Sequence, residues 1–132
     1  MINELILKAK EAREASYSPY SKFKVGAAIL MKDGTYILGC NVENSSYGLS
    51  ICAERNALFQ MVARGYKKTD AVAMCIIGQT DTPISPCGAC RQVMEELLPK
   101  DCKIVLANLK NDVKEMTIEE LLPYSFSEDS LK

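Results

Sequence analysis

A chain of 132 residues has the length of one ordinary domain, enough to bury roughly two thirds of the surface its unfolded form exposes. Hydrophobic residues at 48% and charged residues at 25%, with 7 Gly and 5 Pro, exclude collagen-like and disordered chains. The formal charge of -1 leaves no field to hold a nucleic acid polymer or an anionic membrane, and the absence of His removes every Ser-His, Cys-His and His-metal arrangement.

The first predicted element is an amphipathic helix over residues 3–15, with Leu5, Ile6, Ala9, Ala12 and Ala15 recurring at helical spacing. Ser18-Pro19-Tyr20-Ser21 ends it. Residues 25–31 and 36–38 read as two strands flanking Asp33-Gly34, a dipeptide whose readiness for positive φ marks a hairpin. A loop over 41–50 leads to a helix over 53–64, with Ala57, Leu58, Met61 and Val62 on one face and Gly65 closing it.

A buried strand is predicted over 71–78, followed by a turn-rich stretch over 80–85. The next helix, 86–98, is expected to open with Ser85 as N-cap and Pro86 at its first position, and to stop at Pro99. Strands over 103–108 and 113–116 follow, and Thr117-Ile118-Glu119-Glu120 has the capping-box pattern of a short last helix. The order α-β-β-α-β-α-β-β-α favours one α/β domain over 1–132, a mixed sheet flanked by helices with an antiparallel opening hairpin and part of the remainder parallel. The N-terminus Met1-Ile2-Asn3-Glu4-Leu5-Ile6 lacks the basic and apolar regions of a secretory signal. No apolar run nears the roughly 18 residues of a membrane span, so the six Cys are read as reduced thiols of a cytoplasmic protein.

Without His, acid-base work falls to Glu or Asp. Cys87-Gly88-Ala89-Cys90 puts two thiols at a predicted helix start, where unpaired amides and the helix dipole favour thiolate. A spacing of three brings both sulfurs to one face, and Gly88 leaves room for an ion. A bare C-x-x-C reads equally as a redox pair or as core thiols. Cys52, however, also lies just ahead of a predicted helix, so two helix N-termini can converge with three sulfurs on one point. Three protein ligands and an open fourth position are the pattern of catalytic zinc, and thiolates as the only soft ligands favour zinc over magnesium or calcium. Glu54, two residues from a ligand, is placed to shuttle protons of a metal-bound water.

Cys52-Ala53-Glu54-Arg55 and Ser85-Pro86-Cys87-Gly88-Ala89-Cys90-Arg91-Gln92-Val93 closely resemble the small homotetrameric cytidine deaminases. The resemblance runs from about residue 17 to 126. It includes Tyr20-Ser21-Lys22-Phe23-x-Val25-Gly26-Ala27-Ala28, then Gly39-Cys40-Asn41-Val42-Glu43-Asn44, and Leu121-Leu122-Pro123 with Phe126 three residues on. It implies a three-layer αβα fold with a mixed, about five-stranded sheet, and one zinc per chain on Cys52, Cys87 and Cys90. The implied reaction is the hydrolytic deamination of cytidine and deoxycytidine in pyrimidine salvage. Water activated by zinc attacks C4 of the base; Glu54 passes its proton to N3 and then helps protonate the departing amine.

Three thiolates outweigh the charge of the ion and make such a water less acidic. In the family, the Arg after the catalytic Glu bonds to ligand sulfurs, and Arg55 holds that position here. Phe23 resembles the aromatic that packs on the base, and Asn41 and Glu43 the pair that binds the ribose. Alternation along an extended segment puts these two side chains on the same side. Ala53 is implied as a further substrate contact. The implied assembly is a homotetramer in which the loop 44–47, through Tyr47, and Phe126 complete a neighbouring chain's site. Cys75 reads as strand core, and Cys40 and Cys102 as structural or partly exposed thiols.

Two other readings share these motifs. A deaminase of a cytosine-containing antibiotic such as blasticidin S has the Cys-Ala-Glu and Pro-Cys-Gly-x-Cys elements, but Asn41-x-Glu43 argues for a nucleoside. A structural zinc module would close its site with Cys40, Cys52, Cys87 and Cys90 and leave Glu54 idle.

Overall fold

A computed structural model describes residues 1–131. The elements follow the predicted order: α1 (Ile2–Glu14), β1 (Val25–Met31), β2 (Tyr36–Cys40), α2 (Ala53–Ala63), β3 (Ala71–Gly78), α3 (Gly88–Leu97), β4 (Lys103–Asn108), β5 (Val113–Met116) and α4 (Ile118–Leu121). The five strands form one sheet in the order β2-β1-β3-β4-β5. β3 and β4 pair in parallel and the other three pairings are antiparallel, the mixed sheet expected.

Alternation along the strands splits the core into two layers. Ala28, Ala73, Cys75, Ile77, Val105 and Ala107 face Leu5 and Ala9 of α1. Ala27, Ile29, Met74, Ile76, Ile104 and Leu106 face the other way, against Ala57, Leu58 and Met61 of α2, Met94 of α3 and Ile118 of α4. The result is a three-layer αβα sandwich with α1 alone on one face. Each face has a glycine where a helix presses on a strand. A Cβ at Gly26 would lie 2.1 Å from the Ala9 carbonyl oxygen, and one at Gly39 would lie 2.5 Å from the Ala57 nitrogen.

The topology decides where the chemistry sits. β2 and β3 are both antiparallel to β1, which lies between them, so they run in the same direction. α2 follows β2 and α3 follows β3, with both helices on the same face. Their N-termini therefore emerge at one edge of the sheet, the edge where β1 begins at Val25 opposite Gly78.

The Asp33-Gly34 hairpin forms as expected, closed by one left-handed residue, Gly34 (φ 89°); Gly34 N donates to the Met31 carbonyl and Asp33 Oδ1 accepts from Thr35 N. Two local expectations are corrected. α3 begins at Gly88, leaving Ser85 and Pro86 outside; the N-cap is Cys87, whose sulfur accepts from Cys90 N at 3.5 Å. Val62 is exposed, and the buried stripe of α2 runs instead through Ala53, Glu54, Ala57, Leu58 and Met61.

Candidate active site

Cys52 caps α2 in an extended conformation (φ -76°, ψ 154°), and Cys87 caps α3 in nearly the same one (φ -68°, ψ 162°). Two helix N-termini thus face one point, each lending the positive end of its dipole. The sulfurs of Cys52, Cys87 and Cys90 all lie within 4.8 Å of one another, with Cys52 3.9 Å from Cys87 and Cys87 3.2 Å from Cys90. Tetrahedral zinc with sulfur at 2.3 Å needs separations of about 3.8 Å, so this donor set fits the ion with small side-chain movement. Among the described residues the cluster contains these three sulfurs and not Cys40, which ends β2 half-buried. The four-sulfur closed site is therefore not formed.

The electrostatics suit an anionic cluster. Cys52 is pulled down to about 5, first by the hydrogen bond from the Cys90 thiol and then by the Arg55 guanidinium. Cys90 is held well above the usual thiol range by that shared hydrogen bond and by burial. Arg55 Nη2 donates to Cys52 Sγ at 3.5 Å, which raises the affinity of the guanidinium for its proton. Arg55 Nε is buried without a partner among the described residues. A cation that balances excess thiolate is what a zinc site with three sulfurs requires.

Glu54 is 5% exposed on the first turn of α2, and burial raises its carboxyl above the usual range, with the Cys52 charge adding to the effect. A buried carboxyl held nearer neutrality is suited to both accept and return a proton. Glu54, Ala53, Arg55, Cys52 and Cys87 line a cleft of about 370 Å³, within the range of small-molecule sites. Phe23, Asn41, Glu43 and Tyr47 line the same cleft.

Asn41 and Glu43 are already at work in the fold. Asn41 Oδ1 accepts from Val25 N at 2.9 Å and from the Ser16 hydroxyl, and its Nδ2 donates to the Phe23 carbonyl at 2.8 Å. Glu43 Oε1 accepts from Tyr20 N and Ser21 N at 3.0 and 3.1 Å, and Oε2 accepts from the Ser21 hydroxyl. These bonds, the Ser21 hydroxyl first, hold the Glu43 carboxyl below its usual range.

A family model described as the cytidine and deoxycytidylate deaminase zinc-binding region matches residues 2–106. The chain belongs to this family. A cytidine deaminase of Halalkalibacterium halodurans is 53% identical over 127 residues, covering 96% of this chain and 95% of the relative. One from Sporosarcina psychrophila is 48% identical over 130 residues, covering 98% and 94%. The crystal structure of a cytidine deaminase from Burkholderia pseudomallei superposes with a TM-score of 0.93 at 51% identity, covering 96% of this chain and 99% of that one. The zinc-binding region of this deaminase family accounts for the three-sulfur cluster, and the shared fold accounts for two helix N-termini meeting at one sheet edge.

Within this deaminase fold the cleft gathers the predicted residues with two exceptions: the fully buried Cys90, which meets the other two sulfurs without lining the cleft, and Phe126. Phe126 is outside it, 60% exposed, its carbonyl held by Gln92 Nε2 at 2.7 Å. Tyr47 lines the cleft yet is 78% exposed on the turn Tyr47–Leu49.

Sequence reasoning passed over Ile84 and Ser85, which also line the cleft, and Arg91. Arg91 Nε donates to the Pro86 carbonyl at 2.8 Å, Nη1 to the Leu121 carbonyl at 2.8 Å and Nη2 to Ser85 Oγ at 2.7 Å. It ties the loop before Cys87 to α4. Its place directly after Cys90 was the available signal.

Proposed function

We propose that the chain hydrolyses the exocyclic amine of cytidine and deoxycytidine, giving uridine or deoxyuridine and ammonia. The observation that carries this reading is a buried carboxyl, Glu54, beside three sulfurs at the head of a nucleoside-sized cleft. Cys52, Cys87 and Cys90 hold one zinc per chain. Zinc, when bound there, supplies the positive charge that makes water nucleophilic at neutral pH. Glu54 takes one proton from the attacking water and delivers it to N3 of the base as oxygen bonds to C4, then takes the remaining proton from the C4 hydroxyl and gives it to the amine as the C4–N bond breaks, leaving C4=O and ammonia. Arg55 offsets the thiolate charge. Ala53, at the first turn of α2, contacts the base edge, and Phe23 packs on its face.

The hydrogen bonds already made by Asn41 and Glu43 support a single sugar hydroxyl as their ligand. Asn41 Oδ1 has both acceptor positions filled, and its Nδ2 has one N–H left to give. Glu43 Oε1 accepts two donors, and Oε2 accepts one with room for another. One donor and one acceptor together match one hydroxyl, so a second hydroxyl on the sugar goes unread and both ribose and deoxyribose are accepted. The carboxylate at this end of the cleft also repels a phosphate, which favours nucleosides over nucleotides and over a polynucleotide.

The chain acts as one domain and associates as a homotetramer in which Tyr47 and Phe126 reach a neighbour's site. The exposure of both aromatics supports this, and a short domain has little chain to spare for a lid that excludes water. Six free thiols support a reducing, cytoplasmic setting, and no helix among the described residues is long and apolar enough to cross a membrane.

The test is to incubate zinc-loaded protein with cytidine, deoxycytidine, cytidine monophosphate, blasticidin S, cytosine and single-stranded DNA, following absorbance and ammonia. Release from the two nucleosides alone, at comparable kcat/KM, is the expected result. Preferential release from blasticidin S or from the monophosphate overturns the substrate assignment.

A further inference from the structure

We propose that Ser21 is a positioning residue for nucleoside recognition, its one hydroxyl locking the carboxylate of Glu43 to the backbone that carries Phe23. The inference rests on reading Glu43 and Phe23 as substrate contacts and goes beyond it by assigning what holds them in place.

Residues 18–22 form a tight turn closed by Lys22 N donating to the Ser18 carbonyl at 3.0 Å. Lys22 has a φ of 61°, a left-handed conformation that a residue with a Cβ adopts only when its surroundings impose it. Glu43 binds the two residues just before Lys22. Its Oε1 accepts from the amides of Tyr20 and Ser21, and its Oε2 accepts from Ser21 Oγ. The same oxygen of Ser21 accepts from Phe23 N at 3.0 Å. One atom thus joins the carboxylate proposed to read the sugar to the peptide of the aromatic proposed to pack on the base.

Ser21 is needed because Glu43 has open space on both sides. One side is the cleft that leads to the sulfurs; the other is a cavity of about 380 Å³ lined by Tyr20, Ser21, Glu43, Tyr47 and Ser50. Two backbone amides at Oε1 hold one oxygen and leave the other free to swing about it. Among the described residues the Ser21 hydroxyl is the one hydrogen-bond donor to Oε2, and so sets the direction of its remaining lone pair. A lowered carboxyl pKa for Glu43, caused first by this hydroxyl, agrees with the geometry. Ser16 serves Asn41 in the same way, donating to Oδ1 while Val25 N donates to the same atom. The two serines thus orient the two residues of the sugar pair.

The experiment is a double-mutant cycle on the zinc-loaded enzyme with cytidine, comparing wild type, Ser21→Ala, Glu43→Ala and the double variant, with Ser21→Thr as the variant that keeps the hydroxyl. Ser21→Ala is expected to raise KM about tenfold while kcat stays within about twofold, the order expected for one hydrogen bond to a charged, partly screened acceptor. Ser21→Thr is expected to restore most of the loss. In the Glu43→Ala background, Ser21→Ala is expected to add less than about a twofold change, because its target is gone.

An unchanged KM in Ser21→Ala overturns the proposal. So does a penalty that persists in full beside Glu43→Ala, or one that falls on kcat alone. If Glu43→Ala itself leaves KM at the wild-type value, the sugar-binding reading fails, and the proposal with it. That outcome is distinct from Glu43 mattering while Ser21 does not.

Discussion

Replacing Arg91 by Met keeps the aliphatic stem and removes three hydrogen bonds, to the Pro86 carbonyl, the Leu121 carbonyl and Ser85 Oγ. Bonds from an ionised donor contribute about 1.5–3 kcal/mol each when fully buried. Arg91 is half-buried, so about 1 kcal/mol each is the fitting figure after screening, or about 3 kcal/mol in all. An unfolding entropy of about 2.1 cal/mol/K per residue turns that into a fall of about 10 °C in Tm for a chain of this length. Because these bonds anchor the residues just before Cys87, zinc held by Cys87 should also pass faster to a competing chelator. Gln92→Ala, which removes only the bond to the Phe126 carbonyl, should cost about 1 kcal/mol and about 3–4 °C. The assay is thermal unfolding at fixed zinc and protein concentration, paired with chelator-transfer kinetics. A Tm for Arg91→Met within about 2 °C of wild type, with unchanged zinc transfer, would refute the reasoning.

Glu54→Gln should retain stoichiometric zinc and nucleoside binding but lose about 10²–10⁴-fold in kcat, because an amide cannot accept and return the proton; metal analysis beside steady-state rates checks this. Alanine at Cys52, Cys87 or Cys90 should lose metal and turnover together, whereas Cys40→Ala should keep full zinc by elemental analysis. Burial pushes the thiols of Cys75 and Cys102 up to about 12, from an unfolded value near 9. Between these values the unfolded chain gives up protons that the folded chain keeps, so stability is full below about pH 9 and declines towards pH 12. Cys75→Ala should flatten that decline by about 1.4 kcal/mol per pH unit in denaturant titrations, and an unchanged slope would count against the buried thiol as its source.

The fold was largely legible because its strongest signals are local. The buried run of β3 reads directly as a strand, and Thr117 with Glu120 form the capping box their spacing announces. The start of α3 was misplaced because Ser85 and Pro86 satisfy the usual preferences for a helix start. A sulfur that accepts from the amide three residues on outcompetes them. Val62 was misassigned because helical periodicity alone does not fix which flank of the stripe meets the sheet; Gly39 does, by drawing Ala57 inward.

The metal ligands and Glu54 were legible as residue types at helix starts. That the two starts meet follows from β2 and β3 running the same way on either side of β1, a long-range fact with no local signature. Ser21 and Arg91 lay within quoted motifs, but their roles depend on partners 22 and 30 residues away, beyond any periodicity.

The most direct test of the central claim is product mass in ¹⁸O-enriched water. Zinc-loaded protein is incubated with cytidine, alongside Glu54→Gln at equal zinc content. The account predicts that the wild-type chain yields uridine carrying one heavy oxygen at C4 and one ammonia for each uridine, while Glu54→Gln yields almost none. Unlabelled uridine, intact cytidine with fully metallated wild-type protein, or comparable labelled product from Glu54→Gln would contradict it.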